Sequence, residues 1–190
     1  MSAQSARELL LGCLFVEDPQ AKAYRLSRFS SQDWEAILAE AHRHSLTPLL
    51  SGKLRALAPH LALSESMQQR LQQASVLCAS RNLRLYYELG LVLNALAQAG
   101  IPVIVLKGAY LAEQIYENIA MRPMGDVDLL VRRDQLARAA EILASAGYHP
   151  SQPYQLAKEL ASMHHLPAYT KPGILVIELH WSLAAPSSPL

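Results

Sequence analysis

Apolar residues recur at three- and four-residue steps through the first hundred positions, a period that predicts helices. Residues 2–16 place Leu9, Leu10, Cys13 and Leu14 on one side, and Asp18-Pro19 interrupts the run. Ser30-Ser31-Gln32-Asp33 has the form of a helix start, with an acid in the first turn, and Trp34, Ile37, Leu38 and Ala41 follow at helical spacing. Thr47-Pro48 opens a shorter helix reaching about Leu57, and Pro59 stops it. Residues 64–99 contain no proline and a single glycine, Gly90. Met67, Leu71, Ala74, Leu77, Cys78, Leu85, Leu89, Val92 and Leu96 mark one long helix there, or two collinear ones meeting near Asn82 or Gly90. Gly100 fits the position after a helix end that takes a left-handed backbone.

The period then changes. Val103-Ile104-Val105-Leu106 is uniformly apolar and β-branched, which predicts a strand buried on both faces. Lys107-Gly108 turns the chain into a helix over 109–116, and Met121 to Gly125 reads as a loop. A strand over 126–131 follows, then a helix capped by Asp134 and ending before Gly147. Pro150 and Pro153 punctuate a connection to a short helix over 154–162. A hairpin pairs 165–170 with 174–181 around Lys171-Pro172-Gly173. The organisation is a helical region over 1–100, then β-α-β-α-(α)-β-β over 101–190. The tail over 184–190 is small and proline-rich and comes directly after a strand, so further helices are expected beyond it.

Composition narrows this picture. At 51% hydrophobic and 17% charged residues the chain builds a packed core, and 6% aromatics with abundant Leu and Ala favour helical packing. The net charge is +1 and no Lys/Arg run exceeds two, which argues against a long nucleic-acid partner. Cys13 and Cys78 are far apart, so a cysteine zinc or redox site is not indicated and a reduced, cytoplasmic setting is expected. The apolar stretch over 9–16 is flanked by Glu8 and Glu17-Asp18, unlike a signal peptide. The stretch over 89–106 is interrupted by Gly100-Ile101-Pro102 and reads as helix then strand, not as a membrane span.

Chemistry concentrates at Gly125-Asp126-Val127-Asp128. Strand side chains alternate, so Asp126 and Asp128 share one face and Val127 points to the core with Leu129 and Val131. Two like charges there repel unless a cation sits between them, and carboxylate oxygens suit Mg²⁺ or Mn²⁺. Glu178, inside the apolar run Ile174 to Trp181, is costly to bury without a partner. If its strand lies beside the Asp126 strand, the three carboxylates suffice for two metals about 3.5–4 Å apart. Lys107 and Gly108 offer a charge and a close backbone approach for phosphate at a helix N-terminus. Arg122, stiffened by Pro123, is a second phosphate candidate. His180 shares the face of Glu178 and is a candidate for orienting a ligand or touching substrate. His164 and His165, adjacent in a strand, would face opposite ways, and a zinc site from the histidines is not indicated. Tyr110 and Tyr116 read as packing residues, one of them available to stack on a base.

The segments Val105-Leu106-Lys107-Gly108-Ala109-Tyr110-Leu111-Ala112, Tyr116, Arg122 to Val131 and Glu178-Leu179-His180-Trp181 resemble the largely uncharacterised bacterial nucleotidyltransferase family of the polymerase-β-like superfamily. The resemblance covers about residues 101–183. It implies an α+β fold, in which the helical region precedes an α/β core with a small mixed sheet. It also implies a divalent metal held by Asp126 and Asp128, with Glu178 as third carboxylate, and transfer of a nucleoside monophosphate from an NTP to an acceptor. A small molecule, a sugar and a protein side chain all fit as acceptor. The superfamily usually carries Gly-Ser after its first strand where this chain has Gly108-Ala109, so nucleotide binding is expected at Lys107, Gly108, Ala109 and Arg122, with Lys107 or Arg122 substituting for the missing hydroxyl. Two readings stay open: an active nucleotidyltransferase, and a nucleotide-binding or regulatory module of the same fold without turnover. A glycosyltransferase Asp-x-Asp site predicts a longer nucleotide-binding region upstream than the single short strand and helix present here.

Overall fold

The computed structural model describes residues 3–15, 18–172 and 176–184. They form two compact units, one comprising Met1–Arg81 with Tyr116–Pro123 and the other Asn82–Ile115 with Met124–Leu190. Each unit has its own apolar core.

The first unit is helical: α1 (Ala3–Leu14), α2 (Pro19–Leu26), α3 (Ser31–Arg43), α4 (Thr47–Arg55), the first half of α5 (Glu65–Gln98) and a 3₁₀ turn at Ile119–Met121. The expected helix ends at Ser2 and Val16 lie outside the described residues. Asp18-Pro19 starts a helix as well as ending one, so α2 goes beyond the sequence reading. The Asp18 carboxylate accepts from the Ala21 N–H, and Pro19 occupies a first-turn position where no N–H is needed. Ser30 and Asp33 cap α3 reciprocally. Leu10, Leu26, Ile37 and Leu50 meet in the core. Cys13 is buried there, and burial pushes its thiol up to about 11, leaving it a packing residue. Gly52 on α4 faces Met121, and a Cβ at this position would lie 2.6 Å from the methionine side chain.

The second unit contains the rest of α5, β1 (Val103–Leu106), α6 (Lys107–Gln114), β2 (Asp126–Val131), α7 (Leu136–Ser145), β3 (His149–Pro150), α8 (Leu156–Ser162), β4 (Tyr169–Thr170) and β5 (Val176–His180). Helix α5 is one 34-residue helix, uninterrupted at Asn82 and Gly90. Gly100 follows it with φ +71°, the left-handed conformation its position requires. No helix among the described residues is long and apolar enough to cross a membrane.

The strands form one mixed sheet in the order β1-β2-β5-β4-β3. Among the described residues only the β2–β5 pair is parallel. Central position explains why Val127, Leu129, Ile177 and Leu179 are fully enclosed, with α5 and α7 contributing Val92, Leu96, Leu136 and Leu143 to the same core. Burying each such side chain contributes about 1.5–3 kcal/mol. Strand β1 departs from the expectation of burial on both faces. It is an edge strand paired only with β2, and Ile104 is 60% exposed. Strand β3 was not anticipated, because Pro150 reads as a breaker; it sits at the opposite edge, where a missing donor is tolerated. The hairpin forms between β4 and β5, with β4 reduced to two residues. The turn residue Gly173 and the expected strand start at Ile174 lie outside the described residues. Asp134 lies in a 3₁₀ turn before α7 and pairs with Arg132 instead of capping the helix.

Candidate metal centre

Strands β2 and β5 run side by side in parallel, and their register sets Asp128 directly opposite Glu178. Opposed residues of a parallel pair share a face, so the two carboxylates meet on the side of the sheet away from Val127 and Ile177. His180, two positions past Glu178, shares that face. Its Nε2 lies 2.9 Å from Asp128 Oδ1 and 3.3 Å from Glu178 Oε2. Asp128 and His180 are buried and Glu178 is half-buried. Among the described residues these three side chains form the group whose donor atoms all lie within 4.8 Å of one another. Asp126 begins β2 at its exposed end and stands outside this group.

Lys107 completes the centre. Its Nζ donates to the same Asp128 Oδ1 at 2.7 Å. That hydrogen bond holds the ammonium above the ordinary lysine range, with smaller contributions from the charges of Asp128, Glu178 and Asp126. The backbone of Lys107 has φ +45°, a left-handed conformation uncommon for a residue with a side chain. The sequence placed the turn at Lys107-Gly108, and of the two Lys107 carries the left-handed backbone where α6 starts. Such a conformation costs roughly 1 kcal/mol at a non-glycine residue. Here it brings the lysine stem back over β2. Tyr86 of α5 steadies the same turn by donating its hydroxyl to the Ala109 carbonyl at 2.6 Å.

Three imidazoles border the carboxylates. The His164 and His165 ring centroids lie 5.5 and 5.0 Å from that of His180. The expectation that His164 and His165 face opposite ways fails because this segment is not a strand. Only an isolated bridge joins His165 to His180. His165 Nδ1 donates to the Leu166 carbonyl at 2.8 Å. Burial pushes the His164 imidazole below its ordinary range, helped by the neighbouring His165, His180 and Lys107 charges. Among the described residues, His164 Nδ1 is a buried nitrogen without a hydrogen-bond partner.

The other sequence candidates fall elsewhere. Ala109 is buried in the core, so only its backbone is available to a ligand. Gly108 lies in the first turn of α6, whose N–H groups lack helical partners. Arg122 belongs to the helical unit, where its guanidinium lies over the Tyr116 ring at 5.7 Å. Tyr110 is exposed, contrary to the packing role expected of it. A broad groove in the helical unit, about 860 Å³ and lined by Leu54, Leu61, Leu63, Leu71 and Leu77, is mainly apolar. It gathers no acid–base or metal-binding group, so the chemistry points to the sheet. Sequence alone gave no signal for the Lys107 backbone, and it named the three histidines without bringing them together, since both depend on which strands become neighbours.

The donor set of two carboxylates and one imidazole fits a divalent cation, with donor spacings near those of adjacent ligands on one ion. No curated protein and no solved structure gives a significant match to the chain. A family model described as "Uncharacterised nucleotidyltransferase" matches residues 30–190, which takes in both the helices from α3 onward and the whole carboxylate sheet. The chain therefore belongs to this nucleotidyltransferase family.

Proposed function

We propose that this chain is a metal-dependent enzyme that moves a nucleoside monophosphate from an NTP to a hydroxyl-type acceptor. The in-register meeting of Asp128 and Glu178, closed by His180, is the observation that carries this reading. Asp126, Asp128 and Glu178 would hold the divalent metal, which would supply charge neutralisation for the phosphates and for the attacking oxygen. The acceptor hydroxyl gives up its proton to solvent and its oxygen forms a bond to the α-phosphorus as the bond to pyrophosphate breaks. Lys107 serves the phosphates as a positioned cation, because its stem is directed over β2 by the left-handed backbone. The first turn of α6 offers N–H groups from Gly108 and Ala109 to the phosphates. Arg122 is assigned to nucleotide binding from the family motif.

A second reading is a nucleotide-binding or regulatory module without turnover. The buried methyl of Ala109 favours it, since this position supplies no hydroxyl for a triphosphate. Pyrophosphate release separates the two. Each NTP is incubated with Mg²⁺ or Mn²⁺ and small-molecule, sugar and protein acceptors. The first reading expects release that disappears in the double variant Asp126→Asn/Asp128→Asn; release unchanged in that variant overturns it. A metal-dependent thermal shift on NTP addition, with no release under any condition, supports the module.

A further inference from the structure

We infer that His180 is itself a metal ligand and that the site selects Mn²⁺, with Co²⁺ and Zn²⁺, over Mg²⁺. This inference rests on the metal-dependent reading above and deepens it by naming the class of ion.

Donor spacing is the first argument. Metal–donor bonds of about 2.1 Å place adjacent octahedral ligands about 3.0 Å apart, and tetrahedral ones about 3.4 Å apart. His180 Nε2 stands 2.9 Å from Asp128 Oδ1, about 0.1 Å short of the octahedral spacing, and 3.3 Å from Glu178 Oε2, between the two spacings. Asp126 is absent from the cluster, so the most tightly gathered donors are two oxygens and one nitrogen.

Immobility is the second. His180 is 1% exposed, its backbone is bridged to His165, and the rings of His164 and His165 stand against its own. The imidazole cannot swing away to leave a site made only of oxygen. An ion entering between Asp128 and Glu178 meets Nε2 as a third donor.

Ion chemistry supplies the selectivity. Mg²⁺ prefers hard oxygen donors and retains its water, whereas imidazole suits transition metals, Zn²⁺ and Co²⁺ above Mn²⁺, which also takes carboxylate oxygen. A carboxylate-only site carries a weaker bias. The residue that sets the bias is one that the Asp-x-Asp motif does not include.

The test uses the full chain with one equivalent of Mn²⁺ and reads electron spin-echo modulation. Wild type is expected to show coupling to an imidazole ¹⁴N, replaced by ¹⁵N coupling when histidine is labelled. His180→Gln exchanges the nitrogen donor for an amide oxygen. It is expected to abolish this coupling and to weaken Mn²⁺ binding at least tenfold, since even outer-shell partners of a metal ligand are worth roughly 10–100-fold. Mg²⁺ affinity, measured by competition, is expected to change less, so the Mn²⁺/Mg²⁺ ratio falls. His164→Gln is expected to retain the coupling. Bound Mn²⁺ without nitrogen coupling in wild type overturns the inference, and that measurement holds even if His180→Gln fails to fold. If pyrophosphate release still occurs in that case, the nucleotidyltransferase reading survives. Coupling that persists in His180→Gln and vanishes in His164→Gln also overturns the inference. Failure to bind either ion overturns both the inference and the reading beneath it.

Discussion

Asp128 and His180 are 52 positions apart in the chain and 2.9 Å apart in space. The contact exists because β5 docks in parallel beside β2, in a register that pairs Asp128 with Glu178 and Leu130 with His180. A slip of one residue would turn Glu178 and His180 into the core and bring Ile177 and Leu179 out, so the apolar face and the carboxylate face enforce one another. Ile177→Ala tests that coupling. Ile177 is fully buried in register with Val127, and its truncation is expected to destabilise the fold by about 2–5 kcal/mol. Denaturant unfolding gives the value, and a change below about 0.5 kcal/mol contradicts the packing described.

Asp126 and Asp128 should not behave alike. Asp128 is buried against Lys107 and His180, whereas Asp126 is exposed. Asp128→Asn is expected to weaken metal binding roughly 10–100-fold and to alter stability, because it changes the charge against a lysine that donates to it. Asp126→Asn is expected to leave thermal stability unchanged while reducing pyrophosphate release. Calorimetric metal titration and melting curves on both variants decide this. Equal losses in both assays would contradict the asymmetry.

Lys107 combines an ion pair with a left-handed backbone, and two substitutions separate them. Lys107→Ala and Lys107→Gly both remove the contact to Asp128, but only glycine relieves φ +45°. Lys107→Gly is expected to be the more stable by about 1 kcal/mol, or a melting temperature about 2–4 °C higher. Both variants should raise the KM for NTP. If alanine melts at or above glycine, the backbone conformation assigned here is wrong.

Tyr86→Phe deletes the hydroxyl that donates to Ala109 and leaves that carbonyl without this partner. The expected cost is about 0.5–1.5 kcal/mol, the net contribution of one hydrogen bond, because Ala109 lies within α6 and its carbonyl also accepts along the helix. Because the turn also orients Lys107, nucleotide affinity should fall with stability. An unchanged unfolding curve would remove the tether from the account of the site.

Alkaline stability should report Tyr148. Its hydroxyl is buried beside Glu88, and burial reinforced by that carboxylate raises it to about 12 from 10. A phenol whose folded value is raised keeps its full contribution below pH 10. The unfolded chain ionises first above that point, so stability declines between about pH 10 and 12. Melting temperatures across this window, paired with tyrosinate absorbance, are expected to fall less steeply in Tyr148→Phe. An identical slope in wild type and variant would assign the loss to other groups.

Much of the fold was legible because its signals are local. The Ser30–Asp33 cap, the proline-free run of α5 and the left-handed Gly100 are decided within a few residues. So was the alternation that put Val127 and Leu129 in the core and left Asp128 to the other face. The misreadings have one cause in common. Edge or centre is a property of neighbours, so Ile104 was taken for buried and Pro150 for a breaker when both lie on edge strands. The His164-His165 pair was assigned alternating faces that only a regular strand imposes.

By itself the sequence determined the carboxylates, the strands that carry them and the family they resemble. A charge placed in an apolar run demands a partner whatever the topology. Tertiary structure alone decided who that partner is. The parallel pairing of β2 with β5 brought His180 into the centre and left Asp126 at its margin, and the left-handed turn laid Lys107 across Asp128. Residues distant in the chain meet only through strand register and backbone direction, and no local periodicity encodes either.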